Sequence, residues 1–291
     1  MKINEIVVIS GKGGTGKTSL VASMIPYIKD SVVIADCDVD APDLHILMNP
    51  TLEAKEDFFG MKKAKIYKNL CINCGKCQEV CAFGAIDKNI NINQMKCEGC
   101  TTCTLVCEEN AISMEMAKTG EIYESNCEYG PMFHARLIPG EEASGKLITM
   151  VRRKAKDFAR KHSIENIVID GSPGVACNVI SSIMGVQKAV VVTEPTVSGL
   201  HDLKRVCELL RKYPIEILVV VNKYTLSQEK TEEIEKFCQE SKIDLALKIP
   251  FNKEMVRAIS KLKIPSLEEK EFFETIGFYK FMEKINKRQS L

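Results

Sequence analysis

The segment Gly11-Lys12-Gly13-Gly14-Thr15-Gly16-Lys17-Thr18 constrains this chain more than any other. It fits G-x4-G-K-[ST], a pattern that works only between an apolar strand and a helix. Both neighbours are present. Residues 6–10, IVVIS, read as a buried strand, and Thr18 to about Lys29 reads as a helix. A second apolar run, VVIAD at 32–36, completes a strand–loop–helix–strand unit. Such a unit implies an α/β fold with a mostly parallel sheet flanked by helices. Glycines in the loop let backbone amides wrap around phosphates, and the positive end of the following helix points at them. Gly11, Gly13, Gly14, Thr15, Gly16, Lys17, Thr18 and Ser19 are therefore the candidate nucleotide cradle. Lys17 would bridge the β- and γ-phosphates of ATP, and Thr18 would ligate Mg²⁺.

The alternation of strands and helices then stops. Residues 61–116 are rich in Cys, Gly, Asn and short polar turns. It resumes with a basic amphipathic helix from Leu147 to about His162, followed by strands at 166–170, 189–194, 216–222 and 245–250. Helices are expected near 199–212 and 227–240, with a final pair after 250. The expected organisation is one α/β domain in two parts, 1–60 and 117–291, interrupted by a small module at 61–116.

Eight of the 13 cysteines fall between 71 and 107. Cys71-x2-Cys74-x2-Cys77-x3-Cys81 is followed by Cys97-x2-Cys100-x2-Cys103-x3-Cys107. This repeat is the two-cluster bacterial ferredoxin spacing, in which the fourth cysteine of each run ligates the other [4Fe-4S] cluster. The first cluster would use Cys71, Cys74, Cys77 and Cys107, and the second Cys97, Cys100, Cys103 and Cys81. A pair of zinc knuckles is the alternative, but zinc gains nothing from the x2-x2-x3 repeat. Ala82 and Glu108 stand where a proline usually follows each fourth cysteine; neither position is a ligand.

Composition adds boundaries. Forty basic residues against 39 acidic ones leave a formal charge of +1, so no nucleic-acid or membrane partner held by bulk charge is expected. No stretch of 18 apolar residues occurs, and the first residues lack a signal-peptide pattern, so a cytoplasmic location is expected. Phe272 to Ile285 carries an apolar stripe that suits a terminal helix docked on the sheet better than a membrane anchor.

With its second lysine, Lys12, the loop GKGGTGKT resembles the deviant Walker A of the MinD/ParA/Mrp ATPases, a SIMIBI-type P-loop class. Other segments match in order: Asp36-Cys37-Asp38-Val39-Asp40 where switch I lies, and Asp170-Gly171-Ser172-Pro173-Gly174 where the Walker B and switch II segment lies, with Ser172 in place of a common proline. Asn222-Lys223 and Ile249-Pro250-Phe251 match the base-recognition elements. The resemblance implies an ATP-sandwiched dimer in which Lys12 reaches the partner's nucleotide. It also implies that Asp38 positions the attacking water, that Asp36 and Asp43 lie farther out around the Mg²⁺, that Asp170 accepts from a magnesium-bound water, and that Asn222, Pro250 and Phe251 meet the base. The whole chain resembles a MinD-superfamily ATPase with an inserted ferredoxin domain. That implies ATP hydrolysis coupled to electron transfer through two [4Fe-4S] clusters, with a cluster-carrier ATPase or a positioning ATPase as alternatives. The expected partners are a second copy or a paralogous subunit, and a redox or metallocofactor protein as acceptor.

Overall fold

The computed structural model describes residues 3–28, 31–141 and 144–287. In chain order the strands are β1 (Asn4–Ser10), β2 (Val32–Asp36), β3 (Thr51–Ile66), β4 (Ile112–Cys127), β5 (Gly130–Leu137), β6 (Asn166–Pro173), β7 (Lys188–Thr193), β8 (Glu216–Asn222) and β9 (Asp244–Ile249). The helices are α1 (Lys17–Met24), α2 (Leu44–Met48), α3 (Lys76–Glu79), α4 (Thr102–Leu105), α5 (Ser144–Lys161), α6 (Cys177–Ile183), α7 (Val197–Leu210), α8 (Gln228–Glu240), α9 (Lys253–Ser260), α10 (Pro265–Glu268), α11 (Lys270–Thr275) and α12 (Phe278–Asn286).

Among the described residues the strands form one nine-stranded sheet, ordered β3-β4-β5-β2-β6-β1-β7-β8-β9. From β5 to β9 all neighbours are parallel, whereas β4 runs antiparallel to both β5 and β3. Alternate residues of the central strands feed two cores. Val7 and Ile9 of β1 pack toward α5–α8, while Ile6 and Val8 pack toward α1 and α10–α12. Both faces of these strands are covered, which is why their sequences read as unbroken apolar runs.

β3 and β4 were not anticipated as strands. They form a long antiparallel hairpin whose β3 sequence is mostly exposed from Thr51 to Asp57, so no buried face marks it. Of β4, only Gly120–Cys127 pairs with β5, and beyond register shifts at Phe58, Phe59 and Met61 the hairpin continues without a third strand among the described residues. Such bulges bend a hairpin and re-aim what it carries. The expected module boundaries at 61 and 116 thus fall inside β3 and β4. The far end holds the cysteine segment around a small core of its own, built on Ala64, Cys77, Ile86, Ile90 and Ile112.

The expected helix from Thr18 ends earlier as α helix, at Met24, and continues as a 3₁₀ turn over Ile25–Tyr27; its expected end at Lys29 lies outside the described residues. The final pair of helices is four shorter ones, broken at Pro265 and at Gly277, whose φ of 76° favours glycine. Phe273, Phe278, Phe281 and Ile285 are fully buried against the sheet. No helix among the described residues is long and apolar enough to cross a membrane.

Candidate functional site

The loop between β1 and α1 closes with Gly16 at φ 90°, a left-handed conformation that starts the helix. A Cβ there would meet Asn222 Nδ2 at 2.3 Å. Asn222 sits under the loop and donates from Nδ2 to the Thr15 carbonyl at 2.8 Å, while its Oδ1 accepts from the Lys223 amide at 2.9 Å. The side chain expected at the base therefore braces the loop from the end of β8. Pro250 and the 44 % exposed Phe251 follow β9, and the Phe251 amide donates to Thr225 Oγ1 at 3.0 Å.

A cavity of about 480 Å³ opens over the loop. Gly13, Gly14, Thr15, Gly16, Lys17, Thr18, Ser19 and Asp38 line it, as expected residues, together with Asp40, Asp43, Ser172, Pro173 and Asn178. Gly11, Lys12, Asp36, Asp170, Asn222, Pro250 and Phe251 do not line it. Gly11 packs its backbone against Asp202 of α7.

Beneath the cavity lies a buried charge cluster. Lys17 Nζ is 2.6 Å from Asp170 Oδ1 and 3.4 Å from Asp38 Oδ2. Asp36 accepts backbone N–H bonds from Asp38 at 3.1 Å and Leu44 at 3.3 Å. Burial alone would lower the Lys17 ammonium, but Asp170 and Asp38 outweigh it and raise it. Burial, then the nearby Asp170, holds the Asp36 carboxyl well above the ordinary range, and burial raises Asp38 as well. One cation faces three carboxyl groups here, so the pocket has capacity for a second cation. Asp170 Oδ2 and Thr15 Oγ1 are buried and have no hydrogen-bond partner among the described residues, which is the donor set a hydrated Mg²⁺ with a nucleotide would complete.

Lys12 points away from this cavity. Its Nζ is 2.9 Å from Glu194 Oε1 and donates to Thr196 Oγ1 at 3.3 Å and Ser198 Oγ at 3.2 Å. Lys223 reaches the other oxygen of Glu194 at 3.1 Å. Burial opposes the charge on Glu194, but the two lysines hold its carboxyl below the usual range.

The two switch segments are joined. Cys37 N donates to the Asp170 carbonyl at 2.8 Å, and Ser172 Oγ donates to the Cys37 carbonyl at 2.7 Å. Asn178 carries no motif and was not anticipated. It donates to Asp40 Oδ2 at 3.2 Å and accepts from Ser144 Oγ, the first residue of α5, at 2.7 Å.

In the cysteine segment two further cavities each collect four thiols. One is lined by Cys71, Cys74, Cys77 and Cys107, the other by Cys81, Cys97, Cys100 and Cys103. Backbone amides of Asn73, Ala85, Ala111 and Ala64 lie 3.3–3.5 Å from the sulfurs of Cys71, Cys81, Cys107 and Cys97. No three His, Cys, Asp or Glu side chains among the described residues converge closely enough to hold a single metal ion.

The sequence pattern of the CobQ/CobB/MinD/ParA nucleotide-binding domain matches residues 6–265, and the chain belongs to that family. Two uncharacterized proteins of Methanocaldococcus jannaschii are similar to it. One is 38% identical over 233 residues, 76% of this chain and 78% of that protein; the other is 30% identical over 265 residues, 88% and 89% respectively. The structure of the septum site-determining protein MinD complexed with Mg-ADP, from Pyrococcus horikoshii, covers 98% of this chain and 96% of its own at 19% identity, with a TM-score of 0.59. At that identity the likeness is one of fold.

Proposed function

We propose that this member of the CobQ/CobB/MinD/ParA family hydrolyses MgATP as a nucleotide-dependent dimer, and that its ATP state controls an inserted ferredoxin-like module holding two [4Fe-4S] clusters. The reading rests on the crossed sorting of eight cysteines into two cavities of four, each completed by the last cysteine of the other run. A four-iron cube takes one thiolate per iron and so holds them apart. When bound, the clusters would supply one-electron chemistry at potentials set by nearby charge and by N–H bonds to sulfur.

At the nucleotide end, Lys17 exchanges its carboxylate partners for the β- and γ-phosphates as ATP enters. Thr18 and Asp170 would hold Mg²⁺, which would neutralise phosphate charge, and Asp38 would orient the attacking water. Lys12 leaves Glu194 and neutralises charge on the partner's nucleotide, as an arginine finger does. The partner is a second copy or a paralogous subunit. Two relatives in one organism make a paralogue available in such a lineage. A redox or metallocofactor protein would receive the electrons.

Anaerobic iron, sulfide and zinc analysis, run beside an ATPase assay on the same sample, tests both halves. The expected result is about eight iron atoms and eight sulfides per chain, with Mg²⁺-dependent hydrolysis abolished by Lys17→Ala. Zinc without sulfide would contradict the cluster half. Hydrolysis indifferent to Lys17→Ala would contradict the ATPase half.

A further inference from the structure

The two four-cysteine sites are not equivalent in their attachment. The Cys71/Cys74/Cys77/Cys107 cavity reaches Ile66 and Ile112, at the outer ends of β3 and β4. The Cys81/Cys97/Cys100/Cys103 cavity reaches Ala64 and Met114, nearer the main sheet. Among the described residues, the inner site meets β3 through a set of polar contacts that the outer one lacks. The Ala64 amide lies 3.5 Å from Cys97 Sγ, Gln94 Nε2 donates to the Ala64 carbonyl at 3.1 Å, and Gly99 passes so near Lys62 that a Cβ would fall 2.3 Å from its carbonyl oxygen.

Lys63 stands at the centre of these contacts. Its Nζ donates to the Gln94 carbonyl at 2.5 Å and pairs with Glu141 Oε1 at 2.6 Å, with both charged side chains more than nine-tenths buried. Glu141 Oε2 is buried with no partner among the described residues. Burying two opposite charges contributes little net stability, so such a pair is better explained by the geometry it imposes. On the nucleotide side, Ser144 at the start of α5 donates to Asn178, which in turn donates to Asp40 at the nucleotide cavity. Helix α5 is fixed against α6 where Arg152 donates to the Ser181 carbonyl at 2.9 Å. Lys146, also on α5, donates to the Gly60 carbonyl at the bulge of β3, at 3.1 Å.

We propose that Lys63 and Glu141 are positioning residues that tie the inner cysteine site, and not the outer one, to the nucleotide cavity through the start of α5. This inference rests on the function proposed above for its meaning, but its contacts are protein–protein ones that exist with or without iron. A movement of Asp40 or Asn178 on nucleotide exchange is passed to Ser144 and α5, from Lys146 to the Gly60 carbonyl of β3, and along β3 to Lys63, Gln94 and Cys97.

Hydrogen–deuterium exchange tests it on the full-length protein, with MgADP and with a non-hydrolysable MgATP analogue, alongside iron analysis. Lys63→Met alone strands Glu141 and could unfold the arm, so the decisive variant is the double substitution Lys63→Met, Glu141→Leu, which removes both charges. In the wild type, amides of 94–103 should change exchange rate by about fivefold or more between nucleotides, while those of 71–77 stay within about twofold. The double variant should lose the difference at 94–103. Equal responses in both segments, no response in the wild type, or an undiminished response in the double variant would each overturn the proposal. Iron content separates the two readings: the exchange pattern without iron keeps the strut and removes the clusters, and iron without the pattern does the reverse.

Discussion

Glu194 holds Lys12 at 2.9 Å on one carboxylate oxygen and Lys223 at 3.1 Å on the other, so the lysine that distinguishes this P-loop is engaged within its own chain. Lys12 cannot reach a partner's nucleotide without leaving Glu194. In the proposed MgATP dimer, self-association would therefore carry the cost of breaking this pair in each subunit.

Glu194→Gln removes that cost. Ion pairs at this exposure contribute about 0.2–1 kcal/mol, so the melting temperature should move by no more than about 3 °C. MgATP-dependent dimerisation should shift to lower protein concentration by about threefold or more. Sedimentation across a concentration series, with MgADP as the control, measures it. An unchanged or weaker dimer would show that Lys12 does not act across the interface.

The inner and outer cysteine loops should respond differently to the same small substitution. Gly75 and Gly99 both have positive φ, 83° and 64°, but a Cβ on Gly75 meets nothing within 4 Å, whereas one on Gly99 meets the Lys62 carbonyl oxygen at 2.3 Å. Gly75→Ala should cost about 1 kcal/mol from backbone conformation alone. Gly99→Ala should cost about 3 kcal/mol or more, because a backbone carbonyl cannot yield as a flexible side chain does. Denaturation of the two variants, followed by iron content, checks the contrast.

Acid should weaken the fold through His134. Its ring stacks between Tyr123 at 4.8 Å and His45 at 5.4 Å, and burial, reinforced by His45, lowers its pKa to about 4. The unfolded chain takes up this proton near the ordinary value of 6.5, while the native state resists it. Stability from this group is thus complete above about pH 6.5 and is lost as pH falls toward about 4, by up to about 3 kcal/mol. The raised carboxyls of Asp36 and Asp38 act in the opposite sense, since the native state binds their protons more tightly. His134→Phe keeps the stack and isolates the histidine. Its stability relative to wild type should rise as pH is lowered from 7.5 to 4.5 in chemical denaturation, and a constant difference would contradict this assignment.

The nucleotide-binding half was legible because its signals are local. β1, β2 and β8 are buried on both faces, and their apolar runs end beside the functional loops. The cysteine spacing was equally plain. The hairpin was not: TLEAKEDFFGMKKAKI shows little period-two burial, because long-range pairing rather than a buried face holds it in place. Nor could sequence reveal Glu194 as the partner of Lys12, 182 positions away, or the link from Asn178 to Ser144. Such contacts are set by how the sheet brings distant loops together. Asn222 illustrates the limit. Its place at the end of β8 follows from the apolar run before it, whereas its bond to the Thr15 carbonyl does not.

ATP state and cluster chemistry are proposed to be coupled in one chain. Anaerobic EPR-monitored redox titration of the reconstituted protein, without nucleotide, with MgADP and with a non-hydrolysable MgATP analogue, tests it most directly. Coupling should give two [4Fe-4S]⁺ signals, with the midpoint potential of one moving by about 40 mV or more between MgADP and the analogue, equivalent to about fivefold coupling. Two clusters whose potentials ignore the nucleotide would contradict the coupling, and the absence of any cluster signal would contradict the account at its root.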